Sequence, residues 1–171
     1  MTAIETVCVF CGSRKGFDET HRESAERLGG IIAREGLHLV FGGGGIGLMA
    51  VVAKAALAEG GGVTGVIPEN LARTEMAMEG LDELLVVDSL HRRKQIMFER
   101  SDAFVALPGG IGTLDEVVEL LLWRQVGLHD KPVVLVNYAK FWDPLLDLLD
   151  HLTHAGFGPA QSHHGHPQLS G

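Results

Sequence analysis

Six short apolar runs constrain this chain more than any other feature. They are Thr6–Phe10 (TVCVF), Leu37–Phe41 (LHLVF), Val63–Ile67 (VTGVI), Leu84–Val87 (LLVV), Ala103–Leu107 (AFVAL) and Val133–Val136 (VVLV). Strands that are apolar along their whole length are buried on both faces, which is the mark of a parallel sheet covered by helices on either side. Helical patterns lie between the runs. His21–Arg34 spaces Ala25, Leu28, Ile31 and Ile32 along one face. Leu48–Ala58, His91–Arg100, Thr113–Gln125 and Trp142–Thr153 follow the other strands. Strand and helix alternating in this way predict an α/β fold, a single-domain Rossmann-like, doubly wound parallel sheet flanked by helices. Residues 1–157 are expected to form this nucleotide-binding domain. Residues 158–171, small and polar, are expected to form a flexible tail.

Such sheets bind ligands beyond the carboxyl ends of their strands, where the strand order reverses. The glycines cluster at those ends: Gly12 after the first run, Gly42–Gly47 after the second, Gly109–Gly112 after the fifth. In Pro108-Gly109-Gly110-Ile111-Gly112-Thr113, three glycines in four residues exceed the needs of a turn. They let backbone N–H groups and a helix N-terminus approach an anion, with Thr113 adding a hydroxyl. Gly42–Gly47 formally contains the dinucleotide pattern G-x-G-x-x-G, with Glu69 after the third strand as a ribose-binding acid. Four glycines in a row satisfy that pattern easily, so a nucleotide floor and a purely structural turn both stand.

Two charged groups carry alternatives of the same kind. Thr113-Leu114-Asp115-Glu116 matches a capping box, which would occupy the Glu116 carboxylate at the helix start; a catalytic role for Glu116 competes with it. His91-Arg92-Arg93-Lys94 opens a helix, where cations oppose the dipole. Either they meet an anion or they form a solvated face paired with acids such as Glu99.

Other readings are excluded. With 14 Lys+Arg against 22 Asp+Glu, the net charge is −8, which disfavours general nucleic-acid binding but not a small anion held by local cations. The start of the chain lacks a basic n-region, and no apolar run reaches membrane-spanning length, so no membrane role and a cytoplasmic location are expected. Cys8 and Cys11 form a C-x-x-C, but on a strand they face opposite sides and read as buried thiols rather than a redox pair. His163, His164 and His166 lack an acid or Cys at ligand spacing, so no metal is expected.

Pro108 to Glu116 resembles the P-G-G-x-G-T-x-x-E motif of the Lonely-guy (LOG) family, long labelled lysine decarboxylases. Cys11-Gly12-Ser13, Gly42-Gly43-Gly44, Gly47-Leu48-Met49, Gly65-Val66-Ile67-Pro68, His91 with Arg93-Lys94, Ser101-Asp102-Ala103 and His129-Asp130-Lys131-Pro132 resemble family positions in order, from about Val7 to Phe157. The resemblance implies a phosphoribohydrolase that cleaves the N-glycosidic bond of a purine nucleoside 5′-monophosphate, either a cytokinin type or AMP, without a cofactor and as a homodimer. It implies Arg93 and Glu116 as the catalytic pair. Substrate binding would fall to Ser13, Gly43, Gly44, Met49, Glu75, Lys94, Gly109, Gly110, Ile111, Gly112 and Thr113. Departures are Arg92, where relatives often carry Glu or Gln, Leu122 where a Thr is common, and a C-terminus without the family's further strand. The rivals are a non-catalytic nucleotide or cofactor carrier on the same fold and an NAD(P)-dependent oxidoreductase using Gly42–Gly47. Lysine decarboxylation would need a pyridoxal-binding lysine, which no residue marks.

Overall fold

A computed structural model describes residues 3–158. Six strands, β1 (Thr6–Phe10), β2 (His38–Phe41), β3 (Val63–Pro68), β4 (Glu83–Val87), β5 (Ala103–Ala106) and β6 (Val133–Leu135), form one sheet in the order β4-β3-β2-β1-β5-β6. Every pairing is parallel. The chain steps outward from β1 to β4, then returns to lay β5 beside β1, pairing Phe10 with Ala106. That reversal is the switch point, and it opens between the loops that follow β1 and β5.

Helices α1 (Glu19–Arg34) and α2 (Gly47–Ala58) cover one face of the sheet. Helices α4 (Leu90–Glu99), α5 (Ile111–Gln125) and α6 (Asp143–His154) cover the other. A one-turn α3 (Glu69–Ala72) and a 3-10 turn at Tyr138–Lys140 are additions that no apolar period announces. The two cores divide the strands residue by residue: Val7, Val9 and Cys11 face α1 and α2, whereas Cys8 and Phe10 face α4 to α6. Both cysteines are buried and free, on opposite faces. Among the described residues, no helix is long and apolar enough to cross a membrane.

The structure corrects the sequence reading in three places. β4 is not buried on both faces: Leu85 and Val87 pack on the α4 side, while Leu84 and Val86 are exposed. It is the edge strand, and the core on the α1–α2 side includes no β4 residue. Helix α1 begins two residues before the apolar period, because the Asp18 side chain accepts the Thr20 N–H at 3.0 Å and caps it. Helix α5 begins at Ile111 rather than Thr113, with Gly110 as its N-cap. The expected tail and its histidines lie largely outside the described residues.

Two of the family-like segments are structural. The Asp102 carboxylate accepts the N–H groups of Glu5 (3.0 Å) and Thr6 (2.9 Å), joining the entry of β5 to that of β1, and these bonds hold its carboxyl below the usual range. Lys131 donates to the Phe98 carbonyl at 2.8 Å with its ammonium 4.1 Å from the Phe98 ring centre, and His129 meets the same ring edge-on. Together they fasten the β6 entry to α4.

Close approach of α1 and α2 depends on small residues. A Cβ on Gly29 would overlap the Val52 carbonyl and lie 3.0 Å from the Ala55 Cβ, both on α2. Gly29→Ala should therefore destabilise the protein by about 1–3 kcal/mol, the usual cost of overpacking. A lowered urea midpoint with unchanged slope is the expected measurement; an unchanged midpoint would contradict this packing.

Candidate active site

A cavity of about 720 Å³ occupies the switch point. Its floor is the end of β1 and the loop after it; one wall is the segment 108–113, and the opposite side carries Met49, Glu75, Arg93 and Met97. Ser13, Met49, Glu75, Arg93, Gly109, Gly110, Ile111, Gly112, Thr113 and Glu116 all line it. Gly43, Gly44 and Lys94 do not. Lys94 turns across to α5, where its ammonium pairs with Asp115 at 2.8 Å and with Glu119. The basic run at 91–94 is thus divided: Arg92 bonds Gln95 at the surface, Arg93 is buried, and Lys94 ties two helices.

Each glycine of the 109–112 loop has its own reason. A Cβ on Gly109 would overlap the Thr113 hydroxyl and come 2.9 Å from Gly12 N, so glycine is required where the β1 and β5 loops touch. Gly110 and Gly112 face open space. Helix α5 has no side-chain cap, so the N–H groups of its first turn are left for a ligand. Thr113 is 4% exposed and lines the cavity.

The capping-box reading of Glu116 does not hold. With Gly110 as N-cap, Thr113 and Glu116 fall in the first and second helical turns, and neither side chain caps the helix. The carboxylate faces the cavity instead. Burial pushes its pKa up to about 7; Arg93 pulls it down, Asp115 and Glu75 push it up, and Lys94 pulls it down.

Arg93, in the first turn of α4 behind the Ser89 cap, is held by three partners. Its Nε donates to the Val66 carbonyl at 2.9 Å, and its Nη2 donates to the Gly42 carbonyl and to Glu75 at 3.2 Å. Glu75 is itself placed by the glycine loop after β2: Gly45 N donates to the Glu75 and Met76 carbonyls, and Met78 N donates to the Gly43 carbonyl. That loop is filled from within. A Cβ on Gly42 would overlap the Arg93 guanidinium, one on Gly44 would lie 2.5 Å from the Met49 methyl, and one on Gly45 would overlap the Met76 carbonyl. Of this run only Gly42 lines the cavity, and Glu69 does not. The dinucleotide-floor reading is therefore replaced by a structural turn that seats Arg93 and Glu75. Residues that sequence reasoning left out, Arg14, Lys15, Phe17, His21 and Phe141, also line the cavity. No motif marks them; they meet only because the β1 loop and the α6 entry converge above the sheet.

Comparisons with known proteins agree with this geometry. A family model described as "Possible lysine decarboxylase" matches residues 49–165. The cytokinin riboside 5′-monophosphate phosphoribohydrolase of Rhodococcoides fascians is 48% identical over 154 residues, covering 90% of this chain and 78% of that protein. The probable cytokinin riboside 5′-monophosphate phosphoribohydrolase LOGL1 of Oryza sativa subsp. japonica is 45% identical over 151 residues, covering 88% and 68%. Among solved structures, the molybdenum cofactor carrier protein of Chlamydomonas reinhardtii superposes with a TM-score of 0.68 at 26% identity, covering 94% of this chain and 91% of that one. The molybdenum cofactor binding protein of Rippkaea orientalis gives a TM-score of 0.68 at 25% identity, covering 95% and 92%. Identity of this extent across most of the chain, with the motif residues gathered at one switch-point cavity, establishes that the protein belongs to the Lonely-guy (LOG) family.

Proposed function

We propose that this protein hydrolyses the N-glycosidic bond of purine nucleoside 5′-monophosphates, cytokinin ribotides and AMP among them, to free base and ribose 5-phosphate. The observation that carries this reading is the placement of Glu116. Its carboxyl, with a pKa near 7, lies one turn beyond a helix start suited to phosphate, in the same cavity as a fixed guanidinium. The uncapped N–H groups of α5 and the Thr113 hydroxyl hold the 5′-phosphate. Phosphate binding, remote from the breaking bond, positions the ribose. Cleavage of the C–N bond builds positive charge on the sugar. The Glu116 carboxylate stabilises that charge and takes a proton from the attacking water; the hydroxyl bonds to C1′ and the proton passes to the departing base nitrogen, so one water supplies both products. Arg93 stays charged throughout, so its part is electrostatic: it holds Glu75 and lowers the Glu116 pKa. Met49 and Met97 supply apolar wall for the base. Cys8 and Cys11, free and buried, suit a reducing compartment, and the reading places the reaction in the cytoplasm.

The homodimer belongs to the same proposal. Ile111, Val118, Leu122 and Val126 are exposed and spaced along one face of α5, an apolar stripe that begins in the phosphate loop. A second copy covering it places each site beside the interface. A carrier without catalysis is the second reading, favoured by the structural likeness to molybdenum cofactor carriers.

Glu116→Gln should lower release of free base from AMP and from isopentenyladenosine monophosphate by at least about 100-fold while leaving the fold intact. Wild-type protein that binds AMP but releases no base would favour the carrier. Because the working form of Glu116 is the carboxylate, kcat should rise with pH through an inflection near 7 and level off above it. Arg93→Ala removes the charge that lowers this pKa, so the inflection of the residual activity should move upward; a downward shift would refute the assignment. Leu122→Asp should convert a dimer to a monomer in light scattering.

A further inference from the structure

The loop after β1 lies beside the phosphate loop and is anchored to it. Gly12 N donates to the Pro108 carbonyl at 3.1 Å, and a Cβ on Gly12 would lie 3.2 Å from Gly109 Cα. Gly47 packs against the Ser13–Arg14 peptide so closely that a Cβ would overlap it. The next two residues, Arg14 and Lys15, line the cavity and are exposed. Neither forms an ion pair among the described residues, and of the unpaired Lys and Arg side chains there these two line the cavity. Asp18 lines the cavity as well; its carboxylate stays ionised, accepts the Thr20 N–H (3.0 Å) and hydroxyl (2.7 Å) at the α1 cap, and offsets one of these two cations. His21, in the first turn of α1, completes the wall. Its ring meets Phe141 edge-on at 5.8 Å, and its Nδ1 is buried without a hydrogen-bond partner.

Charge magnitudes give these groups a task. A phosphate monoester carries about −1.5 to −2 near neutrality. The α5 N-terminus offers the equivalent of roughly +0.5. About one to one and a half negative charges are left to neutralise, and the cavity's other cation, Arg93, is already paired with Glu75, in a protein of net charge −8. We infer that Arg14, Lys15 and His21 form a second anion-binding wall, on the β1 loop and the start of α1, that grips the substrate's phosphate together with the α5 N-terminus and makes the site select nucleotides over nucleosides. This rests on the hydrolase reading for the identity of the substrate, but not for the existence of the wall.

Calorimetric titration with ribose 5-phosphate tests the wall without turnover. Arg14→Ala/Lys15→Ala should weaken binding by roughly tenfold or more, and the remaining affinity should depend less on salt. His21→Phe keeps a ring against Phe141, removes both ring nitrogens, and should weaken binding by a smaller factor. In kinetics with AMP, the loss should fall on KM more than on kcat. Undiminished ribose 5-phosphate binding in either variant, with circular dichroism unchanged, would overturn the wall. Failure of the wild type to release base from AMP would overturn the hydrolase reading alone, since the titration still decides the binding question.

Discussion

The site depends on one buried cation. The Arg93 guanidinium is 6% exposed, and it is tolerated there because two backbone carbonyls and one carboxylate surround it. A charge taken out of water costs several kcal/mol unless its partners are well placed, and breaking such a pair costs about 3–5 kcal/mol. The neighbourhood is built to meet that demand. Val66 lies within β3 and Gly42 follows β2, so two adjacent strands aim carbonyls at the same point. Gly42 must lack a side chain because the guanidinium occupies the space a Cβ would fill. Gly43 and Gly45 bind the segment that carries Glu75, which closes the ring of partners. What reads in sequence as a nucleotide-binding glycine run is, in three dimensions, the seat of an arginine.

The difference between the two glycine loops follows from what fills each one. Both come after parallel strands and before helices, so both carry the sequence mark of a ligand loop. The first is packed by Met49, Met76 and Arg93. At the second, Gly110 and Gly112 meet nothing, and the helix behind them starts without a cap. Openness toward the cavity is a property of the neighbours, which no local pattern encodes.

That contrast also explains how much was legible beforehand. The strands and their parallel order followed from apolar runs, because burial on both faces leaves a direct trace in composition. Arg93, Glu75 and Glu116 were legible only through family resemblance; the residues alone left Glu116 between a cap and a catalyst, since Thr-x-x-Glu suits both. The Gly110 cap, which moved the helix start by two residues, removes the capping reading and leaves the catalytic one as the proposal. Lys94 lay beyond sequence reasoning because its partners, Asp115 and Glu119, come from another helix. Arg14, Lys15 and His21 had no signal, because their common wall exists only once the β1 loop folds over the switch point.

The electrostatics then separate the two carboxylates that share Arg93's field. Glu75 takes the ion pair at 3.2 Å. Glu116 feels the same guanidinium without pairing to it, and burial outweighs that attraction, so its proton is held up to about pH 7. Had Glu116 bonded the arginine as well, it would stay ionised well below neutrality and would not exchange a proton readily at working pH. Pairing Glu75 tightly is therefore what leaves Glu116 available. On the proposed hydrolase reading, the arginine acts by committing itself to the other acid, and the glycine turn that holds Glu75 in place serves the site although it need never touch the substrate.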